Sequence, residues 1–555
     1  MRKLVGVMWL ALAAPGWSAQ PVHARHAMVV TVEPHATDAG SAVLEAGGNA
    51  VDAAVAVGFA LAVTHPSAGN IGGGGFMLVR FADGRSTFID FRERAPQKAS
   101  RDMYLNASGK ATEDSVVGYR ASGVPGSVRG FEYASKKYGR KPWADVVAPA
   151  VALAEKGFPV SYGFAKSLHG SAEKLERFRE SKRIFLRDSQ PYEFGETFVQ
   201  PELARTLQRI REQGARDFYE GETAHLLAAD VQRHGGAITL ADLKDYAVAE
   251  RAPLTGTYRG YDIITAPPPS SGGPGILQML GVLEGSGYEK SGAGSAAELH
   301  YLAETMRRYF ADRAVCMGDP DFVKVPLSSL LDPAYIARLR KSIDPEHATP
   351  SSQIHAGCHP PGPESSETTH YSIVDAEGNA VAVTYTLNFG YGSGVTVPGL
   401  GFLLNDEMDD FAAKPGEPNA FGLVQGEANA IQPRKRPLSS MTPTIVTRSG
   451  KLDLVLGTPG GPTIINSVLQ VLLNVVDFGM NVQDAVNFPR IHHQWLPDQL
   501  LMERGFSPDT IKLLQGRGHQ VKIVHSIGEM AAIQARDGWL EGAADPRTEG
   551  TAKGY

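Results

Sequence analysis

The chain has 555 residues, 43% hydrophobic and 21% charged, and its 54 Lys+Arg against 60 Asp+Glu leave a formal charge of −6. That is the composition of an ordinary globular protein, and a balance so near neutral argues against the basic field that binds a nucleic-acid backbone or an anionic membrane surface. The two cysteines, Cys316 and Cys358, form no CxxC pair and argue against a cysteine-ligated zinc or a disulfide framework, while the length fits three or four units or one large layered α/β domain.

Met1-Arg2-Lys3, the apolar run Leu4 to Ala14 and the exit Pro15 to Ala19 match the three regions of a secretory signal peptide. Cleavage is expected between Ser18 and Ala24, so residues 1–24 read as a leader and the mature chain as exported, to the periplasm first or to the medium. No later stretch offers about 18 consecutive apolar residues, so no membrane span is expected after the leader is removed. Next come two Ala/Val-rich helices. Thr37 to Glu45 stops at Gly47-Gly48, and Val51 to Val63 is capped by Asn49.

The run Gly72 to Gly75 leads into a hairpin, Phe76 to Phe81 and Ser86 to Phe91, whose second strand delivers Arg92. No Gly-Lys-Ser/Thr follows these glycines, so they read as close backbone packing rather than a phosphate cradle. From Pro142 to about Ile343 the pattern is mainly helical, broken by the loop Pro267 to Gly273. Residues 344–367 carry five prolines among Ser, His and Gly and read as an exposed linker.

The linker ends at a hairpin, Thr368 to Val374 and Ala380 to Thr386, about the turn Asp375 to Asn379. Closing Val374 against Ala380 and continuing outward sets Thr386 opposite Thr368. A threonine opening a strand after a Pro-rich linker, with a second hydroxyl across from it, is the arrangement an N-terminal nucleophile uses; ordinary β-propensity also fills strands with Thr. Further on, the strand Leu452 to Leu456 is followed by Gly460-Gly461 and a helical run from about Thr463. This is either a plain turn or a place where backbone N–H groups point at a ligand. His492-His493 occupy opposite faces of a strand and no HExxH accompanies them, so no metal is expected. No G-x-S-x-G elbow is present.

Several of these segments, with Phe91-Arg92-Glu93, Met408-Asp409-Asp410-Phe411, Arg436-Pro437-Leu438-Ser439-Ser440-Met441 and Pro459-Gly460-Gly461, give the chain a resemblance to the γ-glutamyltranspeptidases, or glutathione hydrolases, of the N-terminal-nucleophile hydrolase superfamily. The resemblance implies an α+β fold, a four-layer αββα sandwich. It also implies a precursor cut between Glu367 and Thr368 into a large subunit, 25–367, and a small subunit, 368–555, that stay associated. Thr368 would be nucleophile and, through its new α-amine, base. Thr386 would position it, and Gly460-Gly461 would form the oxyanion hole. Arg92, Ser439 and Ser440 would take the α-carboxylate of a γ-glutamyl group, and Asn388, Glu407 and Asp410 its ammonium.

At position 407 some bacterial members carry Gln. Residues 415–426 correspond to a lid, with Phe421 where a gate Tyr is common. The implied donors are glutathione and other γ-glutamyl compounds, the acceptors water, amino acids or dipeptides, and no cofactor is needed. Two rival readings are a cephalosporin or glutaryl acylase on the same scaffold and an inactive scaffold protein.

Overall fold

The computed structural model describes residues 19–357, 368–414 and 426–555. Fourteen strands build two seven-stranded antiparallel sheets. Seven precede residue 368: β1 Val22–Ala24, β2 Met28–Thr31, β3 Gly74–Arg80, β4 Ser86–Asp90, β5 Ala249–Arg251, β6 Leu254–Tyr258 and β7 Tyr261–Thr265. Seven follow it: β8 Thr369–Val374, β9 Ala380–Thr386, β10 Thr444–Arg448, β11 Lys451–Gly457, β12 Ala531–Arg536, β13 Trp539–Ala544 and β14 Thr551–Gly554. The first sheet runs β1-β13-β12-β11-β10-β7-β6 and the second β14-β2-β8-β9-β3-β4-β5.

The sheets lie face to face because both of their faces are apolar. In the second sheet Met28, Val30, Phe76, Leu78 and Ala382 point at the first sheet. Their neighbours Val29, Met77, Val79, Val381 and Val383 point outward, onto α1 (Pro34–Glu45), α2 (Ala50–Thr64) and α3 (Ser127–Tyr138). The period of two along each strand thus fills two cores at once. On the far side of the first sheet pack α4 (Gly272–Leu283), α5 (Ala296–Cys316) and α6 (Thr463–Val476). The result is the expected αββα order. All residues of α2 are buried, as its apolar run Ala53 to Val63 requires, and its start is fixed by a capping box between Asn49 and Asp52.

Three expectations change. The stretch read as mainly helical contains the strands β5, β6 and β7, turned between the last two by Arg259 and Gly260, both at positive φ (48° and 81°). The exposed linker is anchored where it is described. Carboxylates take its backbone N–H groups, Thr349 to Glu304 (3.2 Å), Ser351 to Asp498 (2.8 Å) and Gly357 to Asp312 (2.7 Å), and Ser351 and Ile354 are buried. Finally, Cys316, at the end of α5, is disulfide-bonded; the sequence's other cysteine, Cys358, lies outside the described residues.

Candidate active site

Odd-numbered side chains of β8 and β9 face the helices, and even-numbered ones face the first sheet. Ser372 Oγ donates to the Ala531 carbonyl of β12 at 3.0 Å, and the His370 ring lies so close to Gly457 of β11 that a Cβ there would meet it at 2.2 Å. The pairing runs from Val374↔Ala380 to Thr369↔Tyr385, which is the expected register. Thr368 stands one residue ahead of this ladder, and Thr386, the last residue of β9, one residue past it. Both are even-numbered and buried, and both line one pocket between the sheets.

His370 is the imidazole nearest in sequence to Thr368, but it is no base for it. Its ring nitrogens are engaged by Thr384 Oγ1 (2.8 Å) and Ser372 Oγ (3.1 Å), and burial pushes its pKa down to about 3. Thr386 Oγ1 accepts from the Asn388 N–H at 2.7 Å, with Asn388 held at φ 85°. That bond fills one lone pair and leaves the hydroxyl proton to be given elsewhere. The glycine run serves this hairpin: a Cβ on Gly73 would strike the Thr386 carbonyl at 2.0 Å, and the Asn70 amide donates to that carbonyl at 2.8 Å.

At the other end of the pocket Arg92, just past β4, is 1% exposed. Its guanidinium donates to Glu407 Oε1 and Asp410 Oδ2, and to the Leu438 carbonyl at 3.0 Å. Burial works against the Arg92 charge, but Glu407, Asp410 and Glu93 outweigh it and hold the group protonated. The arrangement is a buried cluster rather than a surface ion pair. Burial also raises Glu407 well above the usual carboxylate range and brings Glu93 up to about 7, against the pull of Arg92. Neither oxygen of Glu93, nor Glu407 Oε2, has a hydrogen-bond partner among the described residues. The turn carrying Glu407 and Asp410 hangs on Asn405. This side chain accepts from the N–H groups of Glu407 (3.0 Å) and Gly123 (2.8 Å) and donates to the carbonyls of Gly72 (2.8 Å) and Gly123 (2.9 Å).

Ser439 and Ser440 close a third side. Gly460 and Gly461 form the turn between β11 and α6, both at positive φ (127° and 55°), and a Cβ on Gly460 would meet Thr463 Oγ1 at 2.5 Å. The first turn of α6 therefore presents its N-terminal end beside the threonines, and Gly461 lines the pocket.

One cleft of about 200 Å3 brings together Arg92, Thr368, Thr386, Asn388, Glu407, Asp410, Ser439, Ser440 and Gly461, with Met441 and Ile464 added by the structure. Gly460 adjoins this lining. Phe421, most of the lid and Glu367 lie outside the described residues. His492 and His493 point into separate polar settings. His492 meets Asn466 and Gln494, and His493 meets Asp498. Glu93, Asn405 and Arg313 were not singled out as site residues from the sequence. Glu93 has its place beside Arg92 as a signal, whereas Asn405 and Arg313 have none.

Comparison with known proteins shows what the whole chain is similar to. Residues 36–555 match the family model described as gamma-glutamyltranspeptidase. The chain is 51% identical over 532 residues to the Escherichia coli (strain K12) glutathione hydrolase proenzyme, covering 95% of this chain and 91% of that one. Among solved structures, a cephalosporin acylase from Bacillus halodurans superposes with a TM-score of 0.87 at 28% identity, over 99% of both chains. A Helicobacter pylori gamma-glutamyltranspeptidase chain superposes with a TM-score of 0.58 at 46% identity, over 58% of this chain and 93% of that one.

Proposed function

The chain belongs to the γ-glutamyltranspeptidase family, and from that premise we propose how its residues carry out the reaction. It is a γ-glutamyltransferase and glutathione hydrolase of the N-terminal-nucleophile type, made as a proenzyme. The single observation that supports the residue roles best is the pocket itself, with two hydroxyls at one end and a guanidinium, carboxylates and serines at the other.

In the precursor, Thr368 Oγ attacks the Glu367 carbonyl carbon, the peptide C–N bond breaks, and the proton passes to the departing nitrogen. Water then hydrolyses the resulting ester, leaving a large subunit that ends at Glu367 and a small one, 368–555, whose first residue carries a free α-amine. An ordinary α-amine titrates near 8, which leaves a useful fraction unprotonated at neutral pH. In turnover the amine takes the Thr368 hydroxyl proton while Oγ attacks the γ-amide carbonyl of glutathione or another γ-glutamyl compound. Thr386 orients the attacking oxygen, and the N–H groups of Gly460 and Gly461 receive the oxyanion. The amine returns its proton to the leaving nitrogen. Water, an amino acid or a dipeptide then resolves the acyl-enzyme. The α-carboxylate of the glutamyl group faces Arg92, Ser439 and Ser440, and its ammonium displaces part of the guanidinium's hold on Glu407 and Asp410, beside Asn388.

Export to the periplasm rests on the leader pattern, and the disulfide at Cys316 supports an oxidising compartment. Val22–Ala24 pairs with β13, and Ala24 is buried, so removal of the leader ahead of Val22 keeps this edge strand. The described residues contain no helix long and apolar enough to cross a membrane.

Purified enzyme is expected to run as two bands, and N-terminal sequencing of the smaller one to begin at Thr368. The variant Thr368→Ala is expected to stay one chain without turnover, because both steps use that hydroxyl. Cleavage persisting in it, or a different first residue, would remove the mechanism. An inactive scaffold predicts a single uncut band for the parent protein.

A further inference from the structure

The loop Pro267 to Gly273 does not line the pocket, yet it is laced onto the serines that do. The Ser439 N–H donates to the Pro269 carbonyl at 2.9 Å, and Ser271 donates to the Ser439 carbonyl twice, from its N–H at 2.7 Å and its hydroxyl at 2.8 Å. Ser270 Oγ donates to the Met441 carbonyl at 2.7 Å. Across this seam lies Arg313 of α5, 2% exposed. Its Nε donates to Ser271 Oγ at 2.9 Å and its Nη2 to Ser440 Oγ at 3.1 Å.

A guanidinium has donors and no acceptor. It therefore occupies one lone pair of the Ser440 oxygen and turns the hydroxyl proton away from itself, and Ser440 lines the pocket. The Met441 N–H does the same to Ser439 Oγ at 3.2 Å. Two hydroxyls are thus set as donors side by side, which suits the two oxygens of a carboxylate.

We propose that Arg313 is a positioning and specificity-determining residue for the α-carboxylate of the γ-glutamyl group, holding Ser440 as a donor and placing a second positive charge behind it. This rests on the reading of Ser439 and Ser440 given under the proposed function. The second charge matters because the first, on Arg92, is already faced by Glu407 and Asp410. Burial lowers the Arg313 pKa to about 10, with Tyr309 and Asp410 opposing the shift, so the group is charged at neutral pH. The Pro267 to Gly273 loop then acquires a role of its own, since Ser271 ties the guanidinium to the backbone that carries both serines.

Three anilides separate the contacts: γ-glutamyl anilide, glutaryl anilide, which lacks the α-ammonium, and 4-aminobutanoyl anilide, which lacks the α-carboxylate. In processed Arg313→Lys, KM for the first two is expected to rise about tenfold with kcat within about twofold, and KM for the third to stay unchanged. Equal losses on all three substrates, or no change on any, would overturn the proposal.

Ser440→Ala, run in parallel, tests the underlying reading. If it discriminates against the two carboxylate-bearing substrates while Arg313→Lys does not, only the role of Arg313 is wrong; if it does not discriminate, the serine reading fails and the proposal with it. Should Arg313→Lys remain one chain, Ser271→Ala carries the same comparison. A selective rise of about threefold is then expected, and an unselective one counts against the proposal.

Discussion

Asp410 and Arg92 satisfy one another across the pocket, so a substrate has to bring both charges to replace what it disturbs. A buried carboxylate is tolerable only while a cation faces it, and the γ-glutamyl ammonium is such a cation. Asp410→Ala is expected to lower kcat/KM for γ-glutamyl anilide at least about tenfold, since a charge-assisted contact is worth on the order of 1.5 to 3 kcal/mol. Glutaryl anilide has no ammonium, so its slow turnover is expected to fall little or to rise. Equal losses in a protein that is still cut into two would make Asp410 structural and favour the acylase reading. The residues proposed to make direct contact were legible because their chemistry stands in short motifs. Asn405 and Arg313 were not, for neither touches substrate in this scheme. Their importance comes from burial and from which oxygen they face, and neither property has a pattern along the chain.

Among the elements, the register of the hairpin β8–β9 was legible, because a five-residue turn fixes register and alternation then assigns every face. The hairpin β6–β7 was missed: Leu254 to Tyr258 is half-exposed at a sheet edge and lacks the apolar alternation that announces a strand, and its Arg-Gly turn is not among the strongest turn signals. α5 carries an acid whose placement has a measurable consequence. Glu298, in its first turn, is 4% exposed and accepts from the Gly294 N–H at 3.1 Å, and burial pushes its pKa up to about 8 from the ordinary 4.5. The folded chain keeps this proton while the unfolded chain releases it. The contribution of Glu298 to stability therefore falls as pH rises from about 4.5 and levels off above about 8. Glu298→Gln keeps an acceptor without the ionisation. Melting curves are expected to show the variant gaining on the parent by about 1 kcal/mol per pH unit across that window. Parallel pH profiles would mean that the acid is not held neutral.

At the scale of the molecule, the proposed cut divides the chain but not the architecture. In the second sheet β8 and β9, which follow Thr368, lie between β2 and β3, which precede it. In the first, four later strands are bracketed by β1 on one side and β7 and β6 on the other. Each subunit would lack the hydrogen-bond partners that the other supplies, so the pair is expected to co-elute on gel filtration at nanomolar concentration and to melt in one transition. Two separable transitions, or subunits parted by salt alone, would contradict this. The layer order was legible from the resemblance, whereas the interleaving was not, since strand neighbours far apart in sequence leave no local trace. The same hairpin has a further consequence. Thr368 comes opposite Thr386 only after β8 has found β9, and on the proposed mechanism the working amine exists only after Thr368 has cut. Activation then serves as a certificate of folding. A misassembled chain never acquires its catalyst, every cleaved chain was once correctly built, and lost activity in a damaged preparation measures later harm rather than failed assembly.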